Sequence, residues 1–266
     1  MSEIRAKIDW SRVQQAVTAA ERDGAVLGVA IAAPNGERFA HNGARRFVAA
    51  STVKVPLMIT LFREIDAGRR SLAEPYVLRA ADRASGSGVM LHLHEGMEFT
   101  LGDLVYLMIS ISDNTATNIL IDLLGIAAVN ATMRDLGMTS STLARKMRGR
   151  AATGDEPENS ATPEDYALVI AALLGNAAAS PASCAEMIAF LEKQQNDRRI
   201  ARHLPKTDRP RWGSKTGSVP GVVNDVGFIE VSGGAVVLSI FAEGLDPHRG
   251  EAAIGDISSA AWQAIQ

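Results

Sequence analysis

The stretch Ser51-Thr52-Val53-Lys54, which continues as Val55-Pro56-Leu57-Met58-Ile59-Thr60-Leu61-Phe62, decides how this chain is organised. The apolar run predicts a helix that begins at Ser51 and continues to Ala67-Gly68. Ser51 and Lys54 stand almost one helical turn apart, so their hydroxyl and amine are expected to share one face. Apolar neighbours would lower the pKa of Lys54 and make its amine a candidate proton acceptor for Ser51. Taken alone, however, the pair is better explained as an N-cap serine and a solvated helix lysine.

Length and composition narrow the class of protein and of partner. The 266 residues are 47% hydrophobic, which suits a helix-rich globular protein of one large domain or two interlocked lobes. The net charge of −3 and the pI near 6.0 give no reason to expect nucleic acid or an anionic membrane as a partner. The pair Arg198-Arg199 and the cluster Arg148-Gly149-Arg150 are interpreted as solvated faces or local ion pairs. Cys184 is the only cysteine, so no internal disulfide can form.

The N-terminal stretch from Met1 to Trp10 contains no apolar segment of signal-peptide length. No run of about 18 uncharged apolar residues follows that would predict a membrane span. We therefore expect a cytoplasmic protein, or a periplasmic or secreted one if a leader has been removed.

Strand-like segments occupy both ends of the chain, and helix-like segments fill its middle. The turn Pro34-Asn35-Gly36 lies between two strand-like runs and predicts a hairpin. Three further strand-like runs follow residue 205, and a final helix covers about residues 249–265. The sheet must therefore join N-terminal and C-terminal segments. We predict a single domain over residues 1–266, with a sheet lobe at about 1–48 and 205–266 and an all-helical lobe at about 49–204.

Two features of the middle segment bear on the site. His92 and His94 would share one face of a strand, but no third ligand follows at a suggestive spacing, so we expect neither a metal nor a cofactor. Gly86-Ser87-Gly88 lies in a loop-like segment whose glycines can bring the backbone close to a cleft.

Two more motifs fall where this architecture would converge: Ser112-Asp113-Asn114 between two predicted helices, and Lys215-Thr216-Gly217 on a predicted strand. Together with Ser51-x-x-Lys54, they resemble the motif set of the class A β-lactamases and penicillin-binding proteins, in order and in setting, over nearly the whole chain. The resemblance implies an α/β (α+β) fold, the β-lactamase-like αβα sandwich. In it an antiparallel sheet with terminal helices faces the helical lobe across a cleft.

The resemblance and side-chain chemistry together give the first two motifs their roles. Ser51 would attack a carbonyl and carry the acyl group, and Lys54 would accept its proton directly or through Ser112. Ser112 would then relay the proton towards the leaving nitrogen. Asn114 would hold a side-chain amide of the substrate, and Asp113 would accept hydrogen bonds from backbone N–H groups.

The third motif would bind the substrate from the opposite wall. Lys215 and Thr216 suit a substrate carboxylate, and Gly217 would let the substrate approach without a Cβ in the way. The resemblance places the oxyanion hole at the backbone N–H groups of Ser51 and Ser218. The Ser218 hydroxyl either touches the carboxylate or belongs to an ordinary strand serine.

The chain departs from the class A pattern in its long polar loop. The family's Arg-Trp-Glu-x-x-x-Asn, whose Glu activates the deacylating water, is replaced by Arg145-Lys146-Met147 with Ala151 in the Asn position. Asp155, Glu156 and Glu158 follow, but none of them holds the matching spacing. The acylation machinery is therefore present in the sequence, and the deacylation machinery is not.

Two charged partners of the family pattern are also missing. Asn159 stands where the family usually has an Asp, so the clamp on Arg145 is expected to be reduced to an arginine with an amide. No arginine between Gly221 and Ala242 is available to assist Lys215.

These features predict a serine hydrolase of the class A β-lactamase type that opens β-lactam antibiotics, with fast acylation and slow deacylation. Its partner would be a small-molecule β-lactam or a related amide or ester, and the protein is expected to be a monomer. Two alternatives stay open. One is a penicillin-binding-type peptidase or esterase acting on another acyl substrate, and the other is a sensor that is acylated and stays acylated.

Overall fold

The structure is a computed structural model that describes residues 7–266. Residues 1–6, which hold most of the N-terminal stretch interpreted as having no leader, lie outside the described residues. The strands of the described part are β1 Val26–Ala32, β2 Arg38–His41, β3 Phe47–Val48, β4 Pro75–Val77, β5 Glu98–Thr100, β6 Ser160–Ala161, β7 Trp212–Val219, β8 Val222–Val231 and β9 Gly234–Glu243. Its α-helices are α1 Ser11–Arg22, α2 Lys54–Asp66, α3 Leu101–Ser110, α4 Asn114–Leu124, α5 Ile126–Asp135, α6 Pro163–Leu174, α7 Pro181–Leu191 and α8 Pro247–Ile265.

The main sheet joins the two ends of the chain, as the sequence predicts. Five antiparallel strands lie in the order β2-β1-β9-β8-β7. Ile240 of the central strand β9 lies opposite Val29 on β1 and opposite Asp225 on β8. The strand β7, which carries Lys215, therefore forms one edge of the sheet.

Helices cover both faces of this sheet. The terminal helices α1 and α8 pack on one face, where Val17, Leu238 and Ile254 are fully buried. On the other face, α6 and the helical lobe enclose Phe241, whose ring lies 5.8 Å from Phe47 and 5.7 Å from Tyr166 between centroids. This arrangement is the αβα sandwich with an antiparallel sheet, so the predicted fold class is confirmed.

The helix α2 lies inside the helical lobe rather than on its surface. Its first nine residues, Lys54 to Phe62, are all buried. Helices α3, α4, α5 and α7 surround it, which explains why its sequence is apolar on every face. Because the start of α2 is buried, Lys54 lies in the protein interior and not at the surface between the two lobes.

Two short sheets were not predicted from the sequence. β3 pairs with β6, and β4 pairs with β5. Strands of two or three residues are too short for an alternating pattern to mark them. The β3–β6 pair matters for the site because it brings the end of the long loop beside the Ser51 approach, where the Ala49 N–H donates to the Asn159 carbonyl at 2.8 Å.

None of the described helices is long and apolar enough to cross a membrane by itself. Helices α4 and α5 meet that length and composition only when taken together, and they are bent by 84° at Gly125.

Candidate active site

A cleft of about 730 Å³ lies between the helical lobe and the edge of the sheet. Its walls are the Ser51 turn, the Ser112 turn, the edge strand β7, the long loop from Arg145 to Asn159, and the segment 194–199. Ser51, Ser112, Asn114, Thr216 and Ser218 line it, whereas Lys54 and Lys215 are buried behind these residues.

Ser51 lies in a tight turn that precedes the helix. Residues Ala50–Val53 form a 3₁₀ turn, and α2 begins at Lys54, so the prediction that the α-helix begins at Ser51 was early by one turn. Ala50 has a φ of 47°, a left-handed conformation that costs a residue with a Cβ about 1–3 kcal/mol. This conformation turns the chain so that Ser51 stands at the cleft with only 6% of its surface exposed.

Lys54 is fully buried and donates to three oxygen atoms. Its Nζ lies 2.7 Å from the Ser112 carbonyl, 2.9 Å from Ser112 Oγ and 2.9 Å from Asn114 Oδ1. Burial holds the pKa of Lys54 well below its ordinary value, the nearby Lys215 ammonium lowers it further, and Asp113 opposes the shift. An amine with a lowered pKa can accept a proton near neutral pH, so the apolar surroundings expected from the sequence have the predicted effect.

The Ser112 turn is held by its neighbour Asp113. Ser112 has a φ of 61°, another left-handed residue. The buried Asp113 carboxylate accepts from the N–H groups of Val89, Met90 and Ala116, the last at the start of α4. Asp113 therefore has the structural role that the sequence predicts.

Asn114 is more occupied than the sequence analysis assumed. Its Oδ1 accepts from Lys54, and its Nδ2 donates to the Ser85 carbonyl at 2.9 Å. Both ends of the amide are thus bonded to protein, and one N–H of Nδ2 is left for a substrate.

Lys215 lies behind the wall of the cleft instead of lining it, which corrects the sequence prediction. Its Nζ donates to the Thr216 carbonyl at 2.9 Å, and the side chain is fully buried. Burial lowers the pKa of Lys215 to about 7, a shift that Asp225 opposes and Arg199 increases. Burial also raises the pKa of Asp225 to about 6. Both groups therefore titrate close to neutral pH.

Gly217 packs closely against a neighbouring protein segment, whereas its predicted role in making room for substrate stays a prediction. A Cβ at this position would lie 3.0 Å from the Ala49 carbonyl and 3.2 Å from the Ser51 nitrogen. The glycine thus allows β7 to contact the Ser51 turn. The contact places the Ser51 N–H beside the strand that carries Ser218.

Sequence analysis missed Arg199. This arginine is buried and lines the cleft. Of the two interpretations left open for Arg198-Arg199, the ion pair agrees with the structure and the solvated face does not describe Arg199. Its guanidinium donates to the Gly217 carbonyl at 3.0 Å and to Ser218 Oγ at 2.6 Å, and Glu251 lies 3.4 Å from its Nε. A cation beside Lys215 is therefore present, although it comes from the segment before β7 and not from residues 221–242. The pair Arg198-Arg199 was the only signal for it.

The long loop keeps a charged clamp, contrary to expectation. Arg145 pairs with Glu158, one residue before the expected position, at 2.9 Å and 3.1 Å. Asn159 instead holds the backbone, because its Oδ1 accepts from the N–H groups of Ala144 and Arg145. An arginine and a carboxylate thus fix the loop, as in the family pattern, through a shifted residue.

The two glutamates of this loop, Glu156 and Glu158, are bonded to other groups of the loop. Glu158 accepts four hydrogen bonds, two from Arg145 and one each from the N–H groups of Ala152 and Asn159. Glu156 pairs with Arg150 and Arg148, and its bond to Arg150 is the main reason that its pKa is lowered to about 2. Local ion pairs were one of the two interpretations left open for Arg148 and Arg150.

Met147 lines the cleft where the family pattern has its Glu. Its side chain is 8% exposed and belongs to the core of the helical lobe. A thioether cannot take up a proton at neutral pH. Within residues 7–266, no group of three or more His, Cys, Asp or Glu side chains is arranged to hold a metal ion.

Comparisons with known proteins agree with this geometry. A family model described as the beta-lactamase enzyme family matches residues 10–265. The β-lactamase BRO-1 of Moraxella catarrhalis is 28% identical over 199 residues, which are 73% of this chain and 62% of the relative. The chain thus spans less than two thirds of that relative's length.

Solved structures match over nearly the whole chain. The crystal structure of a β-lactamase from Sphaerobacter thermophilus is 62% identical, with a TM-score of 0.95 over 97% of this chain and 98% of that one. An ancestral class A β-lactamase is 29% identical, with a TM-score of 0.87 over 96% and 100% of the two chains. The structure of PBP-A is 26% identical, with a TM-score of 0.86 over 95% of each.

Proposed function

The chain belongs to the β-lactamase enzyme family, and on that basis we propose that it is a serine hydrolase of the class A type that opens β-lactams through an acyl-Ser51 intermediate and releases the acyl group slowly. The observation that carries the proposal is the buried Lys54. It follows the Ser51 turn directly and donates to both oxygens of Ser112. These three residues supply a nucleophile, a base of lowered pKa and a hydroxyl that can relay a proton.

Acylation would proceed as follows. Ser51 Oγ attacks the carbonyl carbon while its proton passes to the neutral Lys54 amine, directly or through Ser112. The N–H groups of Ser51 and Ser218 would stabilise the oxyanion. The carbon–nitrogen bond of the cyclic amide then breaks, and the leaving nitrogen takes a proton from Ser112, which Lys54 replaces. The product is an ester on Ser51.

Substrate would be held from the sheet side of the cleft. Thr216 and Ser218 line it, and the Arg199 guanidinium lies on Ser218 with Lys215 behind Thr216. These two hydroxyl donors, with the two cations close behind them, suit the carboxylate that β-lactams carry. Arg199 thus supplies the assistance to Lys215 that residues 221–242 lack.

Deacylation lacks an evident base. Hydrolysis of an ester needs a group that activates water, which is worth about 10²–10⁴-fold in rate. Met147 cannot act as one, Glu156 and Glu158 are engaged by arginines, and Asp155 is not among the residues that line the cleft. Lys54 and Ser112 are left to serve both steps, which supports a slow second step.

The same observation favours a second candidate function. A protein that is acylated on Ser51 and keeps the acyl group would act as a penicillin-binding-type protein or a sensor. The similarity to PBP-A gives this alternative a structural relative. The lifetime of the acyl-enzyme separates the two functions.

Labelling tests the nucleophile. We expect a fluorescent penicillin or a fluorophosphonate probe to label the native chain, and Ser51→Ala to abolish labelling because the variant lacks the hydroxyl that would form the acyl ester. Circular dichroism should show that the variant is folded. Labelling of Ser51→Ala at the native rate would overturn the proposal.

A further inference from the structure

The segment Ser85 to Met90 packs directly on the Ser112 turn. The Ser85 carbonyl accepts from Asn114 Nδ2 at 2.9 Å, and the Ser87 carbonyl accepts from the Asn114 N–H at 3.0 Å. Ser87 Oγ donates to the Ser112 carbonyl at 2.7 Å. One short segment thus contacts two residues of the turn through both its backbone and its side chain.

Two glycines make this close contact feasible. Gly86 and Gly88 have φ values of 104° and 111°, in the left-handed region. A Cβ on Gly86 would lie 2.5 Å from Asn114 Nδ2, and one on Gly88 would lie 2.2 Å from Asp113 Oδ2. Gly86 and Ser87 line the cleft, as expected from the sequence. The same backbone also packs directly on the Ser112 turn.

The Ser112 carbonyl is shared between two donors. Lys54 Nζ and Ser87 Oγ each lie 2.7 Å from this oxygen. Ser112 is also held in a left-handed conformation, which persists only where surrounding contacts enforce it. The Ser87 hydroxyl is one of those contacts, and it is exposed at the cleft wall.

We propose that Ser87 is a positioning residue for acylation: its hydroxyl holds the Ser112 carbonyl, which also accepts from Lys54, and thereby sets the proton affinity of the Lys54 amine. The inference rests on the proposed acyl-serine function and adds to it a residue outside the three motifs.

The proton affinity follows from the groups that face Lys54. These are the Lys215 ammonium, the Asp113 carboxylate and the three oxygens on Ser112 and Asn114. Hydrogen bonds from the ammonium to these oxygens favour the protonated amine. A second donor on the Ser112 carbonyl draws electron density away from the ammonium. Removing the Ser87 hydroxyl would therefore strengthen the bond to protonated Lys54 and raise the pKa of its amine.

The test follows the acylation rate against pH for Ser87→Ala, Ser87→Thr and the native chain, with a chromogenic cephalosporin and intact mass as readouts. Because Ser87 is exposed, a water can take the place of the lost donor, so the expected effect is modest. We expect the acidic limb of Ser87→Ala to move up by about 0.5–1 pH unit, with rates about 3–10-fold lower below the limb and equal above it. Ser87→Thr should restore the native limb.

A neighbouring serine provides the matched control. Ser85 Oγ donates to the Arg148 carbonyl at 2.9 Å, so Ser85→Ala loosens the same segment without touching the Ser112 carbonyl. Its acidic limb should stay at the native pH. An Ser87→Ala rate that is unchanged, or lowered equally at every pH, would overturn the inference. If the native chain itself formed no adduct on Ser51, the proposed function would fail instead.

Discussion

At the scale of single residues, the two lysines of the site lie behind the walls of the cleft. Lys215 is fully buried with a pKa lowered to about 7, chiefly by burial. In the free enzyme it therefore loses its proton as the pH rises through about 7. A neutral amine attracts a carboxylate much less than an ammonium does.

This titration predicts a substrate-dependent pH profile. The kcat/KM for a carboxylate-bearing β-lactam should fall above pH 7 relative to that for a neutral p-nitrophenyl ester, because kcat/KM reports the free enzyme. Lys215→Ala should lower kcat/KM for the carboxylate-bearing β-lactam by a factor that corresponds to ~1–3 kcal/mol. The pH profiles of kcat/KM for the β-lactam and the ester should then have the same shape. Parallel profiles for the two substrates in the native chain would show that Lys215 acts in proton transfer instead.

At the scale of elements, the long loop from Arg145 to Asn159 is fixed by two ion-pair groups of different depth. The Arg145 side chain is 8% exposed and that of Glu158 is 24% exposed. The other group, Glu156 with Arg148 and Arg150, lies at the surface. Breaking a buried pair leaves an uncompensated charge, whereas surface pairs contribute little.

Two matched substitutions test this difference in the loop. Glu158→Gln should lower the free energy of unfolding by about 3 kcal/mol, towards the lower end of the range for a broken buried pair because Glu158 keeps some exposure. Glu156→Gln should leave the Tm close to that of the native chain, and it should leave the decay of the acyl-enzyme unchanged if Glu156 is no base. Thermal unfolding measures the stability of each variant, and the lifetime of the adduct in intact mass spectra measures its rate of deacylation. Loss of turnover in Glu156→Gln would place the deacylating base in this loop.

At the scale of the whole molecule, those parts of the fold were predictable that depend on sequence patterns extending over many residues. The apolar run after Lys54, the strands at both ends and the three motifs led to the αβα sandwich, because each is a property of consecutive residues. The motifs also identified Ser51 and Ser112 as lining the cleft.

What the sequence could not predict depends on contacts between distant segments. Arg199 reaches Ser218 only because the segment before β7 passes along the sheet edge. Glu158 replaces the expected partner of Arg145 through a one-residue shift that no spacing rule marks. Lys215 was assigned to the wall, whereas the residues packed around β7 bury it. Ser87 lies in a loop, and its contact with the Ser112 carbonyl can be recognised only in the folded structure.

The central claim is that acylation of Ser51 is fast and deacylation is slow, because the base for the second step is missing. Time-resolved intact mass of the native chain mixed with excess penicillin tests it most directly. We expect one acyl group per chain to accumulate on Ser51 within the first time points. The absorbance of the intact β-lactam ring should fall in a burst of equal stoichiometry and then at a low steady rate, about 10²–10⁴-fold below the burst. Rapid turnover of penicillin with neither a burst nor a detectable adduct would contradict the account.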